Sequence, residues 1–214
     1  MMTAILANRQ EAGRLLSLRL ANYYQQPNVI VLGLPRGGVP VAAAIASNLS
    51  LPLDICVVRK LGVPSHPELA MGAIATDGIT VLNPSIIKSC SVTPKMIEEV
   101  KTRELQELHR REQLYRGDRP YPQLAQQKVI IVDDGIATGA TMEAAITSIK
   151  HQQPQKIIIA TPIICDKVFS QLQCKVDRII SLLKPQSLDS ISYWYANFNQ
   201  VTDAEVCHLL SQTS

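Results

Sequence analysis

The sequence predicts an α/β fold, a parallel sheet flanked by helices with a Rossmann-like core and a small hood or insertion. Two observations carry this. Short apolar runs at 28–33, 128–133, 156–161 and 177–183 alternate with stretches of helical periodicity, the pattern of parallel strands with helices on the sheet faces. The loops at 34–40, 60–68 and 134–141 are unusual in composition and each follows a predicted strand. Ligands in such sheets bind at the carboxyl ends of the strands, so these loops should converge on one face.

The 214 residues suit one sizeable domain, 1–214, and 46% of them are hydrophobic, an ordinary foldable composition. Mean hydropathy is +0.08, net charge +3 and pI about 8.6. The one candidate basic stripe, 101–119 (KTRELQELHRREQLYRGDR), is interleaved with glutamates and reads as a solvated helix face with i,i+4 pairs. A nucleic-acid partner is therefore not expected. No stretch reaches the length of a membrane span, and the N-terminus is too polar for a signal peptide. The five cysteines and four histidines have no zinc spacing and read as thiols of a reducing cytoplasm.

In chain order, apolar residues Ala12, Leu15, Leu16, Leu20 and Tyr23 recur at helical spacing, predicting a helix over 9–24. Residues 28–33 (NVIVLG) form a buried-strand run, 41–49 an alanine-rich helix that packs closely on the sheet, and 52–59 a second strand. An insertion over 61–127 begins with a loop, 60–68, rich in proline and glycine. Asp77-Gly78 between apolar runs then marks a hairpin over 69–83. Thr93-Pro94 caps a long helix running to about Tyr115, a candidate oligomer (homodimer) surface. The alternation resumes with strand 128–133, helix 140–151, strand 156–161, helix 162–173 and strand 177–183. The capping box Thr202–Glu205 opens a last helix within a C-terminal hood segment, 184–214.

The chemistry concentrates in VIIVDDGIATGAT, residues 129–141. Gly135 and Gly139 let backbone N–H groups turn inward, the helix beginning near Ala140 adds its positive end, and Thr138 and Thr141 add hydroxyls. That is a site for a phosphate monoester. It lacks the lysine of a Walker A loop and the spacing of GxGxxG. Asp133 and Asp134 can accept hydrogen bonds from sugar hydroxyls or hold Mg²⁺ through its waters. A ribose 5-phosphate satisfies both halves. LPRGGVP (34–40) supplies a second anion site through the N–H groups of Gly37 and Gly38 and the guanidinium of Arg36. Arg59 and Lys60 add charge at the end of the next strand. A ribose bearing a 5-phosphate and a further multiply charged anion describes phosphoribosyl pyrophosphate.

Residues 129–141 resemble the phosphoribosyl-pyrophosphate signature of type I phosphoribosyltransferases. LPRGG resembles that family's pyrophosphate loop, and VVRK with its Gly/Pro loop the mobile catalytic loop of the adenine-using members. The resemblance spans roughly 28–183. LPRGGVPVA, RKLGVPSHPELAMGAIA and YWYANFNQVTDAEV together resemble a bacterial subgroup whose acceptor is unassigned. The resemblance implies a cytoplasmic glycosyltransferase (pentosyl transfer) that moves the 5-phosphoribosyl group onto a nitrogen nucleophile, a nucleobase-like heterocycle, with release of pyrophosphate. Asp133 and Asp134 would hold the ribose hydroxyls, directly and around Mg²⁺. Ala137, Thr138, Gly139, Ala140 and Thr141 would hold the 5-phosphate. Arg36, Gly37 and Gly38 would hold pyrophosphate, with a strained peptide in that loop, and Lys60 and Arg59 would close over it. The catalytic set is then Arg36, Lys60, Asp133 and Asp134.

The acceptor is addressed only by exclusion. The hypoxanthine- and guanine-using enzymes carry an acidic base just before the Thr-Gly, where this chain has Ala137. Glu68 or His66 could move a proton instead, although a surface carboxylate and an exposed loop histidine are the simpler readings. Pro162, Ile163 and Trp194 are candidates for the acceptor pocket. Of the cluster Tyr193, Trp194, Tyr195 and Phe198, at least two should pack a C-terminal lobe onto the core. A competing reading is a regulatory protein that senses phosphoribosyl pyrophosphate without catalysis. A phosphate-ester hydrolase is disfavoured, because no Cys or Ser stands in a recognisable nucleophile elbow.

Overall fold

The computed structural model describes residues 5–75 and 78–212, except the side chain of Glu68. The chain runs α1 (Arg9–Arg19), β1 (Val29–Gly33), α2 (Gly38–Leu49), β2 (Leu53–Ile55), β3 (Val58–Val63), β4 (His66–Ala75), β5 (Thr80–Leu82), α3 (Pro84–Ser89) and α4 (Pro94–Arg116). It continues β6 (Lys128–Val132), α5 (Ala140–His151), β7 (Lys156–Ile163), α6 (Asp166–Leu172), β8 (Arg178–Leu183) and α7 (Asp203–Ser211).

The apolar runs form a five-stranded sheet in the order β2-β1-β6-β7-β8, with every pairing parallel. Its side chains alternate between two cores. Val29, Val31, Ile130, Val132, Ile158 and Ala160 join Leu16 of α1, Leu20 just after it, and Val41, Ile45 and Leu49 of α2 on one face. Ile30, Leu32, Val129, Ile131, Ile157 and Ile159 join Met142, Ile146 and Ile149 of α5 and Val168 and Leu172 of α6 on the other. Burial on both faces is what makes these strands read as unbroken apolar runs. Each fully buried aliphatic side chain contributes about 1.5–3 kcal/mol relative to exposure.

A second sheet, antiparallel and ordered β3-β4-β5, pairs β4 with β5 within the expected hairpin 69–83 and departs from the sequence reading before it, over 52–68. The strand predicted over 52–59 is two strands. Cys56 N–H still donates to Gly33 O at 3.1 Å, and the chain then leaves the parallel sheet. Residues 60–68, expected as a loop, are largely a hairpin between β3 and β4. The prolines that suggested a loop stand at the connection (Pro64) and next to register shifts near Gly62 (Pro67), where the ladder is already interrupted. A Cβ on Gly62 would lie 2.4 Å from Pro67 O, so glycine is needed for that closure. Asp77 of the expected Asp77-Gly78 turn lies outside the described residues.

Smaller differences follow the same logic. Helix α1 stops at Arg19, and a 3-10 turn covers Ala21–Tyr23. Helix α2 starts at Gly38 rather than 41, and α6 at Asp166 because β7 persists through Ile163. Helix α3 was missed although Asn83-Pro84 is a cap and first-turn signal; Asn83 accepts from Ser85 and Ile86 N–H.

Helix α4 buries Val100, Leu108, Tyr115 and Arg116. Its outer face carries Glu107 paired with Arg110 at 2.7 Å and with Arg111 at 2.8 Å. Those two guanidiniums hold the Glu107 carboxyl down at about 2. At the helix end the buried Arg116 reaches Asp54 of β2 at 3.2 Å and donates to Ile55 O at 3.1 Å, with its guanidinium over the Tyr121 ring. Burial nonetheless pushes the Asp54 carboxyl up. Asp54→Ala leaves Arg116 as a buried cation without its carboxylate, and urea unfolding should register a loss on the order of 3 kcal/mol. Asp54→Ala combined with Arg116→Met should recover most of it.

Candidate active site

Strand β1 lies between β2 and β6, so the chain leaves its carboxyl end at the point where strand order reverses. The β1–β6 register ends level, Gly33 opposite Val132. Leu34 N–H donates to Val132 O at 2.9 Å, extending the contact one residue into the loops. LPRGG therefore runs directly beside the acidic pair, and its glycines permit the approach. A Cβ on Gly37 would stand 2.0 Å from Asp134 Oδ2, and one on Gly38 would stand 2.5 Å from Val132 O. The Pro35–Arg36 peptide is cis. Gly38 N–H already donates to Leu34 O at 3.0 Å, so an anion using that group would have to open this bond.

Asp133 is half-buried, and its Oδ1 accepts Asp134 N–H at 2.9 Å. Asp134 is buried, and its Oδ2 accepts Arg9 Nε–H at 2.7 Å. Arg9 is itself pinned. Its Nη1 donates to Asn199 O at 2.8 Å, and its guanidinium lies 3.8 Å from the centre of the Phe198 ring. Tyr195 O–H donates to Asp134 O at 2.7 Å. Two segments far apart in sequence pair to build this arrangement: Leu6 N–H donates to Trp194 O, Ala196 N–H to Leu6 O and Asn197 N–H to Ala7 O. Burial, then repulsion by Asp134, holds the Asp133 carboxyl well above its usual range. Burial also raises Asp134, against the pull of Arg9.

Sequence reading missed Arg9. Asn8 accepts Glu11 N–H and so marks a helix start, but nothing local couples position 9 to a carboxylate 125 residues away.

The loop after the pair is anchored at its base. Ile136 N–H donates to Ile163 O at 2.8 Å and Cys165 N–H to Ile136 O at 3.1 Å. Ala137 is half-buried and Thr138 exposed. Gly139 caps α5 at φ +79°, a conformation suited to glycine, with Val168 against the position a Cβ would take. Ala140 opens α5 and Thr141 is exposed on its first turn. Thr138 and Thr141 thus flank the positive end of a 12-residue helix that has no side-chain cap.

The remaining candidates are spread more widely. Arg36 Nη1 lies 3.9 Å from Asp203 Oδ1 at the start of α7, and the same oxygen accepts Tyr115 O–H. Burial and this carboxylate push the Tyr115 hydroxyl up to about 12. Arg59 donates through Nε and Nη2 to Glu104 Oε2 of α4, at 3.0 and 2.6 Å. Lys60 is exposed on β3. His66 is exposed beside Ser65, and the Glu68 side chain lies outside the described residues. Pro162 and Ile163 are buried in β7, where Ile163 packs with Leu6, Ala12 and Tyr195; Trp194 is half-buried. Tyr195 and Phe198 stack at 4.9 Å, whereas Tyr193 is 77% exposed. A groove of about 850 Å³ between α1, α2 and α7 is lined by Arg9 but by no residue of 34–38 or 133–141.

The two aspartates should behave oppositely in metal-free buffer. Asp134→Asn leaves Arg9 buried beside a neutral partner and should destabilise by about 3 kcal/mol. Asp133 has a raised folded-state value, so its charge opposes folding above that value, and the penalty vanishes below the ordinary carboxylate range. Asp133→Asn should therefore raise the melting temperature at neutral pH, with the gain shrinking as the pH falls toward about 4.

The model of the family described as "Phosphoribosyl transferase domain" matches residues 1–187. The chain is 41% identical over 205 residues to each of two Mycobacterium tuberculosis proteins, from strains CDC 1551 and H37Rv, covering 96% of this chain. Their names are "Putative phosphoribosyl transferase" MT0597 and Rv0571c. It spans 46% of their length, about half. The crystal structure of TT1426 from Thermus thermophilus superposes with a TM-score of 0.85 at 34% identity, covering 98% of this chain and 99% of that one. The acidic pair, the threonine-rich loop at the head of α5 and the glycine loop beside them stand on a chain that belongs to the phosphoribosyl transferase family.

Proposed function

We propose that the protein is a cytoplasmic phosphoribosyltransferase that transfers the 5-phosphoribosyl group of phosphoribosyl pyrophosphate to a nitrogen of a heterocyclic acceptor. The observation that carries this is the arrangement at one switch point: the acidic pair after β6, the threonine-rich loop leading into the α5 N-terminus, and LPRGG against the acidic pair.

In this reading Thr138, Thr141 and the N–H groups of residues 137–141 hold the 5-phosphate, and Asp133 receives the ribose hydroxyls. Arg36, with the adjoining backbone of Gly37 and Gly38, faces the pyrophosphate. Arg36 exchanges its distant contact with Asp203 for a charge-assisted bond to the leaving group. Arg59 and Lys60, on the strand that follows β2, would add positive charge once Arg59 gives up its bond to Glu104.

The C1–O bond to pyrophosphate breaks with its electron pair on the leaving group. The acceptor nitrogen bonds to C1, and its proton passes to a base, for which His66 and Glu68 are the candidates. Two adjacent carboxyl groups, of which only Asp134 is paired with an arginine among the described residues, fit a divalent cation. Among the described residues no group of three His, Cys, Asp or Glu converges on a metal site, so the remaining ligands would come from substrate and water. Bound Mg²⁺ would supply charge neutralisation for the departing pyrophosphate.

The test is pyrophosphate release from phosphoribosyl pyrophosphate and Mg²⁺ against pools of purines, pyrimidines, pyridine carboxylates and amines. Release with one pool is expected, reduced roughly 10²- to 10³-fold by Arg36→Met and lost in Asp133→Asn. No release with any pool, together with calorimetric binding of phosphoribosyl pyrophosphate, would instead favour the sensor reading.

A further inference from the structure

Two neighbouring carboxylates would ordinarily share a divalent cation. Here one of them already has a cation, supplied by the chain. The Arg9–Asp134 pair is nearly closed to solvent, with side-chain exposures of 11% and 12%. Four constraints hold it: the 2.7 Å bond to Asp134, the bond to Asn199 O, the Phe198 ring, and the position of Arg9 at the start of α1. Gly37 closes in on Asp134 Oδ2 from the LPRGG loop. Among the described residues Asp133 has no ion-pair partner of its own, and its Oδ1 accepts only the Asp134 N–H, at 2.9 Å.

We propose that Arg9 is a positioning residue that withholds Asp134 from metal, leaving Asp133 as the single metal-facing carboxylate. The inference rests on the reading of this site as one that takes a divalent cation. Its consequence concerns the free protein. With Arg9 in place the three charged groups sum to −1, and one carboxylate, with no further protein ligand converging on it among the described residues, binds a cation weakly. Metal then enters chiefly with a phosphorylated sugar that brings its own oxygens. Without Arg9 the same pocket carries −2 on adjacent residues and becomes a chelating pair. A purely structural role for Arg9 predicts lost stability and no such gain.

The experiment is Mn²⁺ binding to the substrate-free protein, read from the free-ion electron paramagnetic resonance signal, with thermal melts to establish folding. Arg9→Met should bind Mn²⁺ at least about tenfold more tightly than the parent. Arg9→Met/Asp134→Asn removes one charge of each sign from a buried pair, a replacement often neutral or stabilising. It should return Mn²⁺ affinity to within about twofold of the parent. Asp133→Asn should abolish binding.

Folded Arg9→Met protein with unchanged Mn²⁺ affinity overturns the proposal. If that variant does not fold, the double variant decides. Parent-like affinity sustains the proposal, and a loss as large as that of Asp133→Asn overturns it, because Asp134 would then be a ligand. Neither result depends on an acceptor, so a failed transferase assay and a failed metal prediction remain separate outcomes.

Discussion

The level parallel register of β1 and β6 is the constraint on which the rest of the site depends. With Gly33 opposite Val132, the loops that follow must leave the sheet side by side, and the Leu34–Val132 hydrogen bond keeps them together for another residue. An arginine loop and an acidic pair thus share one edge. Only side-chain-free positions at 37 and 38 allow that distance, because the carboxylate of Asp134 and the carbonyl of Val132 occupy the space a Cβ would need. The glycines of LPRGG serve the packing of the protein on itself as well as any anion.

Around this edge the structure pairs opposite charges taken from distant parts of the chain. Asp134 is held by Arg9, Arg36 approaches Asp203, and Arg59 is held by Glu104. The first pair is buried and fixed on several sides; the second is long and solvent-exposed. A buried, multiply bonded pair is costly to break, whereas an exposed pair at 3.9 Å contributes little and reorganises readily. That difference in depth separates a group that stays in place from one that can turn toward an incoming anion.

The fold was legible because both faces of the main sheet are buried. Strands β1, β6, β7 and β8 and helices α4, α5 and α7 stand close to where apolar runs, Thr93-Pro94 and the Thr202 cap place them. The error over 60–68 came from taking Pro64 and Pro67 as loop markers, when an antiparallel pair can set prolines at its connection and at register shifts. The short β2 is split from β3 at Cys56-Val57 because pairing with β1 ends there, at the Cys56–Gly33 bond, and pairing with β4 begins at Val58, a change of partner that no local signal marks.

The sequence alone determined what is written in contiguous residues: a parallel α/β core, an acidic pair followed by a threonine-rich loop on a helix N-terminus, and a glycine–arginine loop after the first strand. These features need only neighbours within a few positions, because strand periodicity, capping and turn chemistry are local. Tertiary structure alone decided which charges meet. Arg9 reads as an ordinary first-turn helix residue, and Tyr195 and Phe198 as generic aromatics. Pairing of residues 6–7 with residues 194–197 gathers all three around Asp134, Arg9 and Tyr195 bonding to it and Phe198 backing the guanidinium. Electrostatic partnership depends on distance in space, and no pattern of spacing along the chain encodes it.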